Sequence, residues 1–374
     1  MIVQKQGWRQ LDWIILGTAL LICFGGILAI RSALHLDLHP LDMVRKQILG
    51  VILGGAAALA LAHSDYEILL KRYARYLYPL NIFLLLIVLS HFGGHEAKGA
   101  SRWIKLGPFE LQPSEFAKVI LIATLALFLS QHEDTITEWQ TLLKSLVHIG
   151  IPMLLIAKQP DLGTALVLLA IWFGMTAMAG ARPIHLLAVL LAGVAFFALL
   201  WQFNPGHILK DYQKNRLQVF LNPAADPRDT GYHLRQSEIA IGAGGISGEG
   251  YEKGTQSTGK FIPEQHTDFI FTVIGEEGGF VFCLVLLSLY LILLERGVAV
   301  MAECNDPLGR LLAAGVLSMM TFHVVVNVGM TMGIMPVVGV PLPFFSYGLS
   351  SLLVNLTAVG LLLSVAARRH RVMF

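Results

Sequence analysis

The sequence predicts an all-α, polytopic membrane protein: one bundle of about ten transmembrane helices with a single long extracytoplasmic loop. Three observations predict it. Of the 374 residues, 55% are hydrophobic and 14% are charged, whereas soluble domains carry about 25% charged residues. The mean hydropathy is +0.65. The apolar residues also gather in runs that approach the roughly 20 residues a helix needs to cross a bilayer core.

The runs fall at 12–30, 47–63, 76–92, 114–131, 143–158, 163–180, 184–203, 268–295, 308–332 and 346–367. The first is long for a signal-peptide core and no small-residue cleavage site follows it, so it is expected to be an uncleaved span. The fifth and sixth are short and separated only by Lys158-Gln-Pro-Asp-Leu-Gly163. Pro160 and Gly163 can break a helix there, and a re-entrant hairpin is one form such a break takes. Freed backbone must then be buried in protein or line a wet cavity.

Ten spans put both termini on one side. Lys5, Arg9, Lys71, Arg72, Arg75, Lys144, Arg182, Arg296, Arg310, Arg368, Arg369 and Arg371 lie on that face. Arg31, Arg45, Lys46, Lys98, Arg102, Lys105 and Lys158 lie in the short loops of the other. Cytoplasmic loops carry the excess of Lys and Arg, which predicts cytoplasmic termini and places the long loop, about 204–267, outside. That loop is rich in charge, including Arg216, Arg228 and Asp229, and holds the glycines 242, 244, 245, 248 and 250. Tyr232, Leu234, Ile239 and Ile241 predict a short amphipathic helix near 232–241 at the membrane surface. No soluble-domain linker or internal repeat divides the chain, so residues 1–374 are read as one domain. A net charge of +2 does not suggest nucleic acid as a partner, and Cys23, Cys283 and Cys304 have neither metal nor disulfide spacing.

Ionisable residues at membrane depth are costly and usually functional. In His266-Thr-Asp-Phe-Ile-Phe271 a polar loop becomes an apolar helix. Thr267 or Asp268 can cap that helix, and the helix dipole favours a carboxylate there. Capping alone does not account for Glu276 and Glu277, about 12 Å deeper at 1.5 Å per residue. These two predict a polar cavity or a strong interhelical pair. In Gln112-Pro-Ser-Glu-Phe-Ala-Lys118, Pro113 suits a first helical turn, and Glu115 and Lys118 share a face. They either neutralise one another or leave Lys118 to hold a phosphate or a catalytic carboxylate. Asp161 caps the next helix or lines a pocket. Arg102, in Gly99-Ala-Ser-Arg-Trp-Ile-Lys105, anchors an outer loop at lipid headgroups or binds there. The segment from Pro336 to Gly348 carries three prolines, so it is expected to be an irregular loop buried against the bundle. There Ser346 and Tyr347 either pack or offer hydroxyls to a substrate. No phosphate-binding glycine loop, G-x-G-x-x-G, H-E-x-x-H pair or nucleophilic serine motif is present, and the 13 histidines show no ligand spacing.

With Gln159-Pro-Asp-Leu-Gly-Thr164 and Gly231-Tyr-His-Leu-Arg-Gln-Ser237, these strings resemble the SEDS family, the shape, elongation, division and sporulation proteins of bacteria. The likeness covers nearly the whole chain. Gly254-Thr-Gln256 and Val338-Gly-Val-Pro-Leu-Pro343 resemble its elongation branch more than its division branch. Gln265, Gly278 and Leu349 depart from the usual pattern, and none is a presumed catalytic group.

The resemblance implies a peptidoglycan glycosyltransferase of the bacterial cytoplasmic membrane that polymerises lipid II, a disaccharide-peptide on a polyprenyl pyrophosphate. It implies that Asp268 is the essential acid, that Glu115, Lys118 and Arg102 are sensitive positions, and that a divalent cation such as Mg²⁺ or Mn²⁺ takes part. It also implies a class B penicillin-binding transpeptidase and other elongation-complex proteins as partners. On this reading Asp268 is a general base, a role usually worth 10²–10⁴-fold. Lys118, Arg102 or a metal partly held by Asp268 would offset charge on the leaving pyrophosphate. Two rivals are a lipid II flippase and a non-catalytic scaffold for the transpeptidase.

Overall fold

The computed structural model describes residues 11–35, 40–90, 95–97, 100–106, 109–203, 211–222, 226, 230–259, 261–262 and 264–369. Lys5, Arg9, Lys98, Gly99, Arg228, Asp229 and Arg371 lie outside the described residues.

The long helices are α1 (Trp13–Ala33), α2 (Pro40–His63), α3 (Tyr66–Leu89), α4 (Pro113–Ser130), α5 (Trp139–Lys158), α6 (Leu162–Met178) and α7 (Pro183–Phe203). Helices α8 (Asp211–Leu221), α9 (Thr230–Gly244) and α10 (Thr255–Thr258) follow within the long loop. Helices α11 (Ile270–Glu303), α12 (Pro307–Thr331) and α13 (Leu349–Ala366) complete the bundle. Among the described residues nine helices are long and apolar enough to cross a membrane, and α6 is a shorter apolar helix of 17 residues. At 1.5 Å per residue α6 still spans about 26 Å. The α5–α6 break is a tight turn at 159–161 between helices of 20 and 17 residues.

Two other expectations change. The third span begins at Tyr66, well before residue 76, because Asp65 caps α3 by accepting from the amides of Glu67 and Ile68. Its charged early turns, with Lys71, Arg72 and Arg75, continue an apolar helix beyond the stretch that hydropathy marks. A small antiparallel sheet, β1 (His95–Ala97), β2 (Ala100–Leu106) and β3 (Phe109–Leu111), in the order β1-β2-β3, lies between α3 and α4. It is the one non-helical element described in an otherwise all-α chain.

Close helix contacts rest on small residues, as expected where lipid offers no hydrophobic drive between helices. A Cβ on Gly54 would lie 2.6 Å from Leu356 Cδ1, and one on Gly360 would lie 2.6 Å from Ala58 Cα. These glycines let α2 and α13 touch. Helix α7 is peripheral, with His185 and Leu186 its buried residues and Ile184, Leu191, Val194 and Phe196 exposed.

Helix α11 is broken within its apolar run. Gly279 has φ 64° and ψ −164°, a backbone conformation open mainly to glycine. The freed amides are satisfied by the glycine-rich loop: Phe280 N donates to Gly245 O at 2.9 Å and Val281 N to Ile246 O at 3.2 Å. In return Glu249 N donates to Glu276 O at 2.9 Å and Gly250 N to Glu277 O at 3.0 Å. Gly244 and Gly248 press against the carbonyls of Gly275 and Glu277, where a Cβ would collide. The loop glycines thus serve close backbone packing in place of the helical bonds that α11 loses. Helix α9, expected near 232–241 at the membrane surface, runs longer and packs against α11 and α12.

The two ends of the bundle differ. At one end Asp12, Asp65 and Asp306 cap α1, α3 and α12. There Arg296 pairs with Asp12 at 2.6 Å, Arg369 with Glu303 at 3.0 Å, and Arg368 binds the carbonyls of Ser364 and His63. The other end carries the Asp268 turn, the α5–α6 turn, the small sheet and the 332–348 segment. That segment has no helix or strand, and its Val337, Val340, Leu342, Phe344 and Phe345 are buried, as three prolines require.

Candidate functional site

The turn at 264–269 that presents Asp268 is fixed by its backbone. Three successive carbonyls each accept from a different place. Tyr347 N donates to His266 O at 2.9 Å, Ser346 Oγ to Thr267 O at 2.7 Å, and Asn327 Nδ2 to Asp268 O at 2.8 Å. Gln265 Nε2 adds bonds to Ala33 O at 2.7 Å and Ser257 O at 3.0 Å. Neither Thr267 nor Asp268 caps α11. The helix begins at Ile270 after Phe269 with no side-chain cap, and Thr267 Oγ1 bonds Glu264 O at 3.0 Å. The capping reading of Asp268 is therefore corrected: the turn holds its backbone and the helix starts beyond it.

Asp268 reaches Gly339 in the 332–348 strap, where a Cβ would lie 3.2 Å from Asp268 Oδ2 and 3.8 Å from Arg216 Nη1 of α8. Gly339 has φ +73°, so both sterics and backbone call for glycine here. On the strap's other side Gly163, in the first turn of α6, lies where a Cβ would be 2.8 Å from Val338 O and 3.0 Å from Val340 Cγ2. Asp268, Gly339 and Gly163 thus form one stack that joins three of the motifs read from the sequence.

Asp161 caps α6, as one reading expected. Its Oδ1 accepts from Thr164 N at 3.2 Å. Its Oδ2 accepts from Thr164 Oγ1 at 3.0 Å, Ser114 Oγ at 3.1 Å and Gln112 Nε2 at 3.1 Å, which locks the first turns of α4 and α6 together. Arg102, on β2, donates through Nε to Gln159 O at 2.8 Å and through Nη2 to Pro160 O, so it clamps the α5–α6 turn. Ser346 Oγ also accepts from Leu342 N at 2.8 Å, and Gln47 of α2 joins Ser346 O and Gly348 N. Ser346 is thus used in packing the strap onto the Asp268 turn.

Lys118 is 1% exposed and Glu115 4%. Lys118 Nζ donates to Glu115 Oε1 at 2.8 Å and lies 3.1 Å from His323 Nε2 on α12. Glu115 Oε2 is buried with no hydrogen-bond partner. The mutual ion pair is the arrangement present, and Lys118 is not paired with Asp268.

Of the alternatives read for Glu276 and Glu277, an interhelical pairing is present at Glu277, which bonds Ser32 of α1. Glu276 accepts from Gln256 N at 2.5 Å, Ser257 N at 2.9 Å and Ser257 Oγ. It caps α10 and ties the long loop to the break in α11. Glu277 Oε1 accepts from Ser32 Oγ of α1 at 2.5 Å.

The sequence reading passed over Asn327, His323, Gly339 and Gln47, and it met Arg216 only as one charge of the long loop. For Asn327 and His323 a signal existed: with Thr331 they form a polar stripe at four-residue spacing along α12. His266 stacks obliquely on Tyr347, ring centroids 5.6 Å apart. Burial, reinforced by the charge of Glu110, raises the Tyr347 hydroxyl above its ordinary pKa and keeps it a neutral donor. Among the described residues no three His, Cys, Asp or Glu side chains converge as a metal cage.

The sequence matches the cell cycle protein family of FtsW, RodA and SpoVE over residues 10–371. It is 39% identical over 333 residues to the peptidoglycan glycosyltransferase MrdB of Escherichia coli (strain K12), covering 88% of this chain and 87% of that protein. It is 36% identical over 436 residues to the peptidoglycan glycosyltransferase RodA of Treponema pallidum (strain Nichols), covering 97% and 99%. The fold superposes on a chain of a peptidoglycan synthase complex that coordinates polymerization and crosslinking, with TM-score 0.82, 33% identity, and 97% and 100% of the two chains covered. It also superposes on the rod shape determining protein RodA of Thermus thermophilus, with TM-score 0.71, 32% identity, and 97% and 99% covered.

Proposed function

This chain belongs to the FtsW, RodA and SpoVE family of cell cycle proteins, and from that premise we infer that it is a peptidoglycan glycosyltransferase that polymerises lipid II with Asp268 as general base. The observation that carries the assignment of the base is the turn itself. Three consecutive carbonyls at 266–268 are held by Tyr347, Ser346 and Asn327, which fixes the backbone and presents one carboxylate beside Gly339. Preorganisation of this kind lets a group act without reorganising during reaction.

In the reaction the 4-hydroxyl oxygen of the acceptor sugar bonds to the anomeric carbon of the donor. The bond from that carbon to the pyrophosphate oxygen breaks, and the lipid pyrophosphate leaves with the electron pair. The hydroxyl proton passes to the Asp268 carboxylate. Attack opposite to the leaving group inverts the anomeric centre. Charge develops on the pyrophosphate, and preorganised cations are worth most at such a point. Arg216, which approaches Gly339 alongside Asp268, is the cation best situated for it. Lys118, with two of its three N–H groups directed to Glu115 and His323, has one to offer. Arg102, Asp161 and Ser346 shape the site by fixing the α5–α6 turn, the α4–α6 contact and the strap.

The described donor set suits a divalent cation only in the mode Mg²⁺ commonly takes, with one or two carboxylates plus substrate phosphate. Asp268 is the carboxylate that would hold it, and Mg²⁺ or Mn²⁺ there would offset charge on the pyrophosphate. A lipid-linked substrate keeps its tail in the bilayer, and the reading places the Asp268 end at the outer face of the bacterial cytoplasmic membrane, with both termini in the cytoplasm. At the opposite end Asp12, before α1, pairs with Arg296 of α11, and Arg369, after α13, pairs with Glu303 of the same helix, in keeping with that orientation. A class B penicillin-binding transpeptidase and other elongation-complex proteins are the partners this reading implies.

The test is polymerisation of lipid II by the purified protein with its cognate transpeptidase, wild type against Asp268→Asn. Glycan chains from the wild type and none from the variant support the reading. Chains from both would remove Asp268 as base. Chains from neither would favour the flippase or scaffold.

A further inference from the structure

Helix α12 carries no charged side chain in its outer half, yet it touches two of the groups to which the proposed reaction assigns a task, Asp268 and Lys118. Asn327, fully buried, donates both amide hydrogens, one to Asp268 O at 2.8 Å and one to Val340 O at 2.7 Å. One side chain therefore staples the Asp268 turn to the strap that lies against the Asp268 carboxylate. Four residues earlier, and so on the same face about 6 Å along the axis, stands His323, also fully buried.

The hydrogen bonding of His323 is set by its neighbours. Its Nδ1 lies 2.7 Å from Met319 O. A carbonyl only accepts, so Nδ1 carries the ring proton and Nε2 accepts from Lys118 Nζ at 3.1 Å. His323 thereby takes one ammonium hydrogen and Glu115 a second, which fixes the direction of the third.

We propose that His323 and Asn327 form a two-residue template on α12 that sets the spacing and orientation of the Asp268 base relative to the Lys118 cation. They are positioning residues, since each acts through another group. The proposal rests on the polymerase reading, because that reading gives Asp268 and Lys118 their tasks. It is specific to the chemistry of these side chains. Position 323 needs an acceptor toward Lys118. Position 327 needs two donors in one plane, because a carboxylate or an alkyl group would leave two buried carbonyls unpaired.

The test measures kcat and KM for lipid II polymerisation by the full-length protein with its transpeptidase. The variants are His323→Leu, His323→Gln, Asn327→Leu and Asp268→Asn. Asn355→Leu serves as control, since Asn355 is equally buried but bonds only within α13. Thermal unfolding is recorded for each. The expected result is a tenfold or greater fall in kcat for both leucine variants at the site, with KM within about twofold. His323→Gln, which keeps an acceptor, retains at least a third of wild-type kcat, and Asn355→Leu retains kcat even where its melting temperature falls. Raised KM at unchanged kcat, or losses that merely follow melting temperature across all three leucine variants, would overturn the template. Should the leucine variants not fold, a folded His323→Gln with kcat below a tenth of wild type would overturn it as well. Inactive Asp268→Asn beside unaffected template variants sinks the template alone, whereas an active Asp268→Asn sinks the polymerase reading beneath it.

Discussion

Replacing Gly339 by alanine tests the contact between the strap and Asp268, the proposed base. Two costs follow from the geometry. Gly339 sits at φ +73°, and an L-residue in the left-handed region costs about 1–2 kcal/mol. The added Cβ also lies 3.2 Å from Asp268 Oδ2, closer than ordinary contact, so the carboxylate or the strap must yield by a few tenths of an ångström. The first cost is one of stability. The second acts on the base, whose full contribution is about 10²–10⁴-fold, and a partial loss of alignment should remove about tenfold, or 1.4 kcal/mol of barrier. Gly180→Ala separates the two. Gly180 has φ +92° in the turn after α6, far from Asp268, with nothing within 4 Å of the added Cβ. Both variants should lose similar stability in thermal unfolding, and only Gly339→Ala should lose polymerisation per folded molecule. Equal activity in the two would refute the claim that the strap touches the base.

Lys118→Met should destabilise the fold by about 3–5 kcal/mol, because it leaves a buried carboxylate unpaired. Adding Glu115→Gln should restore most of the folded yield, read by size-exclusion chromatography. If polymerisation then stays lost in the folded double variant, Lys118 has a task beyond pairing with Glu115; full recovery of activity would deny it one. Glu276→Ala removes the acceptor shared by Gln256 N, Ser257 N and Ser257 Oγ. Each buried donor left unpaired costs about 1–3 kcal/mol, so the 249–262 segment should exchange amide hydrogens at least tenfold faster than in wild type, while Ser257→Ala changes it little. Unchanged exchange in Glu276→Ala would deny it the capping role.

Hydropathy and motif spacing made the bundle and the principal acids legible, because membrane spans impose long apolar runs and buried charge stands out against them. Other features were hidden for physical reasons. The break at Gly279 follows Gly275-Glu-Glu-Gly278 within one predicted span, and its hydrogen bonds come from residues 245–250, a pairing that no local pattern encodes. The true start of α3 was masked because Lys71, Arg72 and Arg75 lower hydropathy over turns that are nonetheless helical. Asp161 could be read as a cap, but its bonds to Ser114 and Gln112 join residues far apart in the chain. Asn327 and His323 are single polar residues in an apolar helix, and their value lies in what other helices bring to them. Gly339 was legible only as part of a proline-rich loop, since its need for glycine comes from the approach of Asp268.

The difference between the two ends of the bundle bears on the rival transporter reading. Movement of a lipid-linked pyrophosphate across the membrane needs polar accommodation at both faces in turn. Here the motif residues gather at the Asp268 end, around one turn, one strap and the first turns of α4 and α6. At the other end Asp12, Asp65 and Asp306 are occupied as helix caps. Arg296 is engaged by Asp12 and Arg368 by backbone carbonyls, so these groups are committed to closing the bundle. A protein of this form reconstituted in vesicles with labelled lipid II should polymerise substrate in the leaflet facing Asp268 and leave the opposite leaflet's label in place. Transfer between leaflets at a rate comparable with polymerisation would mean that these caps open during turnover, and the transporter reading would then have to be restored.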